Sequence, residues 1–356
     1  MVCYNQFGYT LDYYFCRECP EDFHVDYIGI DTGKQIVFPT NPNVSVLDVR
    51  RPNSSFLGKL WTQIKYRLIC LWKTLFGNYD IIMVKYFVGC SLIAIFKRRS
   101  SIMEIRTGSL ARTSLMRNIA NSIMKLESCF FLKVISVSCS LTKRLRLQES
   151  KTLFFPPGTD IIDKQVEHDF NTLKLIYIGT FQGRDLWKVI QGISLFVNHN
   201  PSVPILCDFF GSGTPDDEKR INEEIVNSSL QDKIVLHGYV HHNYLTEFLV
   251  KSNVGISFIP NDKRYDCQIP TKTLEYLGAG MPVIATTTKE NNFLISDMNG
   301  VLCESSPESF ECALRTLWER RHQYKSTYIK NSIKNFTWIS ISKRLFEFFR
   351  EFSKRN

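Results

Sequence analysis

The stretch "IPTKTLEYLGAGMPVIATTT", residues 269–288, contains a charged residue in an unexpected place. Thr271 suits a helix N-cap, and Gly278 and Gly280 suit a helix end. A helix of about two turns fits between them. The first turn of a helix carries partial positive charge and disfavours a base by roughly 0.3–1 kcal/mol. Yet Lys272 falls in that turn, with Glu275 following it, the poorer order for a Lys–Glu pair on a helix. Other segments of the second half carry related chemistry: "GTFQGRD" (179–185), "GSGTPDD" (211–217), "HGYV" (237–240), "PNDKRYDCQIPTK" (260–272) and "TTTKENN" (286–292). Each follows an apolar run and precedes a helical pattern. Each is rich in Gly, Thr, Asn and charged residues, a composition that suits a ligand bearing phosphates and hydroxyls. No G-x-G-x-x-G follows a strand and no G-x-x-x-x-G-K-[ST] occurs. "GSG" at 211–213 is on its own only a tight-turn signal.

The elements that must position these loops read as alternating strands and helices. In the first half "VDYIGID" (25–31), "YDIIMVK" (79–85), "SIMEIR" (101–106), "VISVS" (134–138) and "TLFFP" (152–156) are strands. In the second half "LKLIYIG" (173–179), "PILCDFFG" (204–211), "IVLHG" (234–238), "VGISFIP" (254–260) and "MPVIAT" (281–286) are strands. Nearly continuous apolar strands separated by helices predict parallel sheets covered on both faces. The fold class is therefore α/β, with two doubly wound Rossmann-like domains. Their ligands are expected at the carboxyl ends of the strands. The seam falls in "PPGTDIIDKQVEHDFNT" (156–172). The boundaries are 1–160 for the first domain, 173–335 for the second, and 336–356 for a last helix with Trp338, Ile341, Leu345, Phe348, Phe349 and Phe352 as its stripe. Only "MVCYN" precedes the helical "YTLDYYFCREC", so the first strand is a stub or the natural start lies upstream.

Composition narrows the class. With 44% hydrophobic residues in 356, the chain can bury sizeable cores and is not disordered. Residues 1–165 hold 22 Lys and Arg against 13 Asp and Glu, whereas residues 166–356 hold 22 of each, so the net charge of +9 lies entirely in the first half. A solvated basic surface, a nucleic-acid partner and an anionic membrane surface all fit that asymmetry. No recognisable nucleic-acid module supports the second. The N-terminus has neither the basic start nor the apolar run of a secretory signal, so the eleven cysteines read as free thiols. Cys16 and Cys19 form a lone C-x-x-C without a second pair, which argues against zinc. The best apolar run, "IIMVKYFVGCSLIAIF" (81–96), is too short to span a bilayer and contains Lys85.

"YIGTFQGRDL", "FFGSGT", "IVLHGYV", "VGISFIP", "IPTKTLEYLGAGMPVIAT" and "LISDMNGVL" occur in the order and spacing of the GT-B glycosyltransferases of family 4, and the chain resembles that family most strongly over about 173–303. "MEIRTGSL", "VISVSCSLTKRL" and "FFPPGTD" resemble its first domain more loosely. The resemblance implies an interdomain cleft, a nucleoside diphosphate sugar held by the second domain, and a last helix crossing back onto the first domain. It also implies retention of anomeric configuration without a metal or other cofactor.

Glu275 matches the family's second motif glutamate, which binds ribose hydroxyls; an ionised carboxylate is an acceptor suited to a vicinal diol. Lys272 ceases to be a misfit if a diphosphate lies at the helix N-terminus. Arg184 matches a basic position that contacts the diphosphate, where it would stabilise the leaving group; the plain alternative is a surface pair with Asp185. Gly211 and Gly213 would let backbone approach the nucleotide, and Tyr239 and Val240 fall where the base pocket forms. Thr271 belongs with this donor set, and Thr286, Thr287 and Thr288 could donate to phosphate or sugar oxygens. Arg106 and Thr107 are acceptor-side candidates. Two departures stand out. Cys267 occupies the position of the first motif glutamate, with Asp266 and Asp262 as possible substitutes, and Thr180 stands where the family often has arginine.

"FLGKLWTQIKYRLICLWKTLF" (56–76) reads as an amphipathic helix with Phe56, Leu57, Leu60, Trp61, Ile64, Leu68, Leu71, Trp72 and Leu75 at helical spacing and Lys59, Lys65, Arg67 and Lys73 beside them. Such a helix either lies in a membrane interface or packs its stripe on the sheet, the commoner arrangement. Further basic groups (Arg50 and Arg51; Lys97, Arg98 and Arg99; Lys143, Arg144 and Arg146) belong to the same half.

The combined expectation is a glycosyltransferase on the cytoplasmic membrane face. It would move a sugar from a nucleotide donor to a glycan, one growing on a lipid carrier, in synthesis of a surface polysaccharide such as O-antigen or capsule. The alternatives are a nucleotide-sugar 2-epimerase on the same fold and a non-catalytic nucleotide-sugar-binding relative.

Overall fold

The structure is a computed structural model, and it describes all residues except 5–10, 32–39, 51–54, 112, 163–168, 262–264 and 356. Asp262, Arg51 and part of the expected seam lie outside the described residues. The chain divides into two compact units, Met1–Gly158 with Trp338–Asn356, and Thr159–Thr337.

In the first unit the described elements are β1 Val2–Tyr4, α1 Leu11–Arg17, β2 Val25–Asp31, β3 Val44–Arg50, α2 Phe56–Phe76, β4 Ile82–Lys85, α3 Ser91–Phe96, β5 Ser101–Ile105, α4 Ser114–Ser128, β6 Lys133–Ser136, α5 Cys139–Leu145 and β7 Thr152–Phe154. The strands form one parallel sheet in the order β3-β2-β1-β4-β5-β6-β7. Tyr27, Ile28, Met83, Ile102 and Ile135 are fully buried in its centre, which is why these strands read as apolar runs. The second unit contributes β8 Leu173–Ile178, α6 Leu186–His199, β9 Ile205–Phe210, α7 Pro215–Asn227, β10 Ile234–Gly238, α8 His242–Lys251, β11 Val254–Ser257, α9 Thr271–Gly278, β12 Val283–Thr286, α10 Lys289–Leu294, β13 Gly300–Cys303, α11 Pro307–Arg320 and α12 Ser326–Ser332. Its sheet is also parallel, ordered β10-β9-β8-β11-β12-β13. The order reverses between neighbouring β8 and β11, where α6 and α9 leave in opposite directions. Such a switch point opens a crevice at the carboxyl ends of its strands.

The last helix, α13 Trp338–Arg355, belongs to the first unit. Trp338 stacks on Tyr14 at 4.2 Å and Phe346 on Phe15 at 4.3 Å. Arg350 grips Asp22 through two bonds of 2.7 and 2.8 Å. Fully burying each such ring is worth ~1.5–3 kcal/mol.

α2 corrects the commoner expectation. Its buried residues are Gly58, Thr62, Tyr66, Cys70 and Thr74, and its large apolar stripe faces outward. Thr62 and Thr74 donate to the carbonyls of Gly58 and Cys70, both at 2.7 Å, so these two hydroxyls of the inner face are satisfied by their own helix. All eleven cysteines are free. Cys19 donates to the Phe23 carbonyl, and burial pushes its thiol up to about 11. Among the described residues no helix is long and apolar enough to cross a membrane.

Candidate functional site

The loops after β8, β9 and β10 are stitched together by their backbones. Gly179 N–H donates to Phe210 O at 2.9 Å, Phe181 N–H to Ser212 O at 2.8 Å, and Gly211 N–H to Gly238 O at 2.8 Å. Gly179 and Gly211 hold φ of 143° and 146°, a region L side chains rarely adopt. A Cβ on Gly211 would overlap the Gly179 carbonyl. The glycine therefore allows one loop to lie on the other.

Helix α9, one strand away, begins with Thr271, but Pro270 is the N-cap and Thr271 is the first helical residue. This corrects the expected Thr271 cap: Pro270 supplies the extended residue before the helix and no side chain caps it. The helix is fixed from inside. The Thr273 hydroxyl donates to Asn291 Oδ1 at 3.1 Å and meets the Ser257 hydroxyl at 2.7 Å. Ile178 N–H donates to Tyr276 Oη at 2.8 Å, tying α9 to the end of β8.

Helix caps distinguish this end of the sheet. Thr214 and Asp217 form a capping box on α7, Thr288 caps α10, and Ser306 caps α11. The two helices that start at the switch point, α6 and α9, have no side-chain cap. Their first N–H groups and positive dipole ends are available to an anion. At α6 the cap position is Asp185, in left-handed conformation, and its carboxylate pairs with Lys188 at 3.2 Å.

The two cations predicted from the sequence stand at these two helix starts. Lys272 Nζ is shielded from solvent, has no hydrogen-bond partner, and lies 3.8 Å above the Tyr177 ring centre. It also lies 2.9 Å from where a Gly179 Cβ would be. Burial and then the Arg184 charge hold its ammonium well below the ordinary lysine range, with Glu275 opposing them. Arg184 Nε and Nη1 are likewise buried without partners, and the guanidinium lies 4.3 Å over the Tyr265 ring. Arg184 is not paired with Asp185, which Lys188 engages. Two buried cations that repel each other thus stand beside two uncapped helix starts, an arrangement that can accommodate more than one negative charge.

The other candidates are distributed around it. Glu275 is half-buried one turn along α9 from Lys272, and Thr271 is exposed at the helix start. Gly213 N–H donates to Glu218 Oε1 at 3.0 Å. Tyr239 is 77% exposed, and Val240 packs on the core. The Thr286 hydroxyl accepts from Ile259 N–H and donates to Ser257 O, the Thr287 hydroxyl donates to Cys303 O, and Thr288 caps α10. Cys267 is buried, and Asp266 bonds Lys289 through its backbone N–H and its ammonium. Sequence reasoning did not assign roles to Tyr177 and Tyr265, the rings beneath the two cations; the aromatic directly before "IG" was visible only as a strand residue. Among the described residues no group of three His, Cys, Asp or Glu could hold a metal ion.

In the first unit Arg106 Nη1 donates to Glu104 Oε1 at 2.8 Å, and Thr107 donates to Gly108 O at 2.9 Å. Glu104 is fully buried; desolvation raises its carboxyl pKa and Arg106 counters that rise. Arg106→Met should destabilise the chain by about 1.5–3 kcal/mol, because it removes a charge-assisted hydrogen bond from a buried carboxylate. Urea denaturation at neutral pH checks this, and an unchanged midpoint would contradict it.

Residues 173–320 match the family model described as glycosyl transferases group 1. Among curated proteins none matches the chain. Among solved structures, a sucrose-phosphate synthase from Thermosynechococcus elongatus is 16% identical with a TM-score of 0.73, over 100% of this chain and 96% of that one. The lipopolysaccharide outer core galactosyltransferase WaaB is 12% identical with a TM-score of 0.70, over 98% and 99%. HepE from Anabaena, in complex with UDP and glucose, is 14% identical with a TM-score of 0.69, over 98% and 99%. The second unit thus carries a glycosyltransferase domain of group 1, an enzyme domain, and the whole chain has the two-sheet GT-B fold.

Proposed function

We propose that this chain transfers a sugar from a nucleoside diphosphate donor to a hydroxyl of a glycan, with the switch-point crevice of the second unit holding the donor. The observation that carries the reading is the pairing of two buried, unpartnered cations, Arg184 and Lys272, with the two helix starts that lack side-chain caps. A diphosphate offers the charge and acceptor oxygens these groups require. Glu275 is the acceptor for the ribose diol, and the exposed Tyr239 with Val240 borders the base. The carboxyl-terminal ends of β8, β9 and β11 supply the backbone that surrounds the sugar.

In this reading the bond from the anomeric carbon to the diphosphate breaks, and its electron pair leaves with the phosphate. Arg184 and Lys272 stabilise that charge, so no metal is required. The acceptor oxygen bonds to the same face of the anomeric carbon and its proton passes to a donor phosphate oxygen, giving retention. The first unit, with Arg106 and Thr107, serves the acceptor. HepE was solved with UDP and glucose, and WaaB is a lipopolysaccharide galactosyltransferase. The first favours a uridine diphosphate sugar as donor, and the second favours a lipid-linked glycan of a surface polysaccharide as acceptor. An anionic membrane bearing that acceptor is the partner of the basic first half, on the cytoplasmic side.

Stopped assays with a panel of nucleotide sugars test the reading. Arg184→Gln is expected to lower kcat about 100-fold, as loss of a transition-state donor does. Glu275→Ala is expected to raise the donor KM roughly 10–100-fold with kcat little changed, the loss of hydrogen bonds made equally in both states. Unchanged kcat in Arg184→Gln together with an unchanged donor KM in Glu275→Ala would contradict the assignment. EDTA is expected to leave the rate unchanged.

A further inference from the structure

Helix α2 turns its apolar side away from the protein. Taking ~100° per residue, Leu57, Ile64, Leu68 and Leu75 lie ~160–200° from Tyr66, the middle of the buried face. Leu60, Leu71, Trp61 and Trp72 border that line on either side. The stripe is exposed along its length: Leu57 is 74%, Trp61 61%, Leu68 59%, Trp72 58%, Leu75 41% and Ile64 38% exposed. Lys65 and Arg67 fall at ~100° to either side of Tyr66, so they flank the stripe. A soluble helix does the reverse, burying its stripe and exposing its small and polar residues.

The exposed apolar surface continues onto the neighbouring helices. α2 packs on α3. The start of α3 is joined to α4 by Glu127, whose Oε1 accepts from Gly89 N–H at 2.7 Å and the Ser91 hydroxyl at 3.0 Å. Right-handed crossovers from β3 to β6 place α2, α3 and α4 on one face of the sheet. Leu92, Ile95 and Phe96 on α3, and Leu115, Met116, Ile119 and Leu126 on α4, are each more than half exposed. A contiguous apolar face of this kind marks an interaction surface.

We infer that this face is a membrane-docking surface, with α2 lying in the plane of an anionic bilayer and its stripe inserted at the headgroup–acyl boundary. Three observations favour lipid over protein. The stripe carries two tryptophans, which favour that boundary. Cations flank it on both sides, at the height where acidic headgroups would lie. The charge of this half of the sequence is strongly positive, whereas α2 itself holds no acidic residue. The inference gives the membrane partner proposed above a specific surface and adds apolar insertion to electrostatic attraction. It stands or falls separately from the donor site.

Flotation of the full chain with vesicles of phosphatidylcholine and phosphatidylglycerol tests it, alongside phosphatidylcholine alone. The parent is expected to float with the mixed vesicles and to stay partly bound in high salt, where purely electrostatic binding is lost. Ile64→Glu with Leu68→Glu should weaken binding more than tenfold. Lys65→Glu with Arg67→Glu should remove the preference for acidic lipid. Neither pair lies among the buried residues of α2, and Arg67 gives up only a peripheral contact 5.7 Å over the Phe87 ring, so circular dichroism and nucleoside diphosphate binding should match the parent. Equal flotation of parent and the Ile64, Leu68 variant would overturn the inference. So would a parent that is a stable dimer, a variant that is monomeric, and no binding of either to vesicles, which would assign the face to a second copy.

Discussion

Lys272→Met is expected to lower turnover by about 10²–10³-fold while leaving the unliganded chain at least as stable as the parent. The two halves of that result have one cause. In the unliganded chain the ammonium is shielded from water, lacks a hydrogen-bond partner, and feels the Arg184 charge. Among the described residues it is stabilised by the Tyr177 ring 3.8 Å away and by Glu275. A methionine keeps the stem and its contact with the ring, and removes the buried charge. With a diphosphate bound, the same charge becomes the group that stabilises the departing phosphate.

The pH dependence follows from the lowered pKa. Between the depressed folded value and the ordinary lysine range near ~10.4, the unfolded chain holds more protons at this position than the folded one. The contribution of Lys272 to stability therefore rises with pH across that window and is most unfavourable below it. Thermal melts of parent and variant across this window should converge as pH rises. Within that window diphosphate binding should draw a proton onto Lys272, seen as a buffer-dependent binding enthalpy that the variant lacks and that fades at lower pH, where the ammonium is already formed. A variant that is active, or markedly less stable than the parent at neutral pH, would contradict this account.

Gly211→Ala is expected to cost about 3–4 kcal/mol, the sum of a positive φ and a steric overlap. The added Cβ would meet the Gly179 carbonyl, at the point where the loops after β8 and β9 lie on each other. The loop after β8 carries Arg184, so activity should fall with stability. Gly183→Ala is the control. Gly183 also has positive φ, 63°, but nothing lies within 4 Å of its added Cβ, so only the left-handed conformation is penalised, by about 1–2 kcal/mol. Chemical denaturation of both variants separates strain from overlap. Equal losses would mean that the loops yield and that their close approach is unimportant.

The sequence revealed the central strands and the two cations for the same physical reason. Strands buried on both faces are continuous apolar runs, and a lysine in the first turn of a helix stands out against the dipole. Of the strands it did not reveal in full, β1 is central but only three residues long and read as a stub, whereas β3 and β13 are sheet edges. β3 alternates polar residues through "VSVLDVR" and leaves Val46 and Leu47 about 40% exposed, and β13 is four residues long. Periodicity identified α2 to its ends at Phe56 and Phe76 but could not say which side faced the sheet. That depends on the small inner face of Gly58, Thr62 and Cys70, which tertiary packing selects. The cap at Pro270 was missed because a threonine follows it. The rings of Tyr177 and Tyr265 had no signal in spacing, since their contact with Lys272 and Arg184 is made across strands and loops.

The central claim is that the crevice between β8 and β11 binds a nucleoside diphosphate through Lys272 and Arg184. Isothermal titration of the full chain with a panel of nucleoside diphosphates, parent beside Lys272→Met, tests it most directly. The account predicts one-to-one binding of at least one diphosphate to the parent and a Kd weakened by about 100-fold in the variant, near 2.7 kcal/mol. Parent and variant binding with the same Kd, or no binding of any diphosphate to the parent, would contradict it.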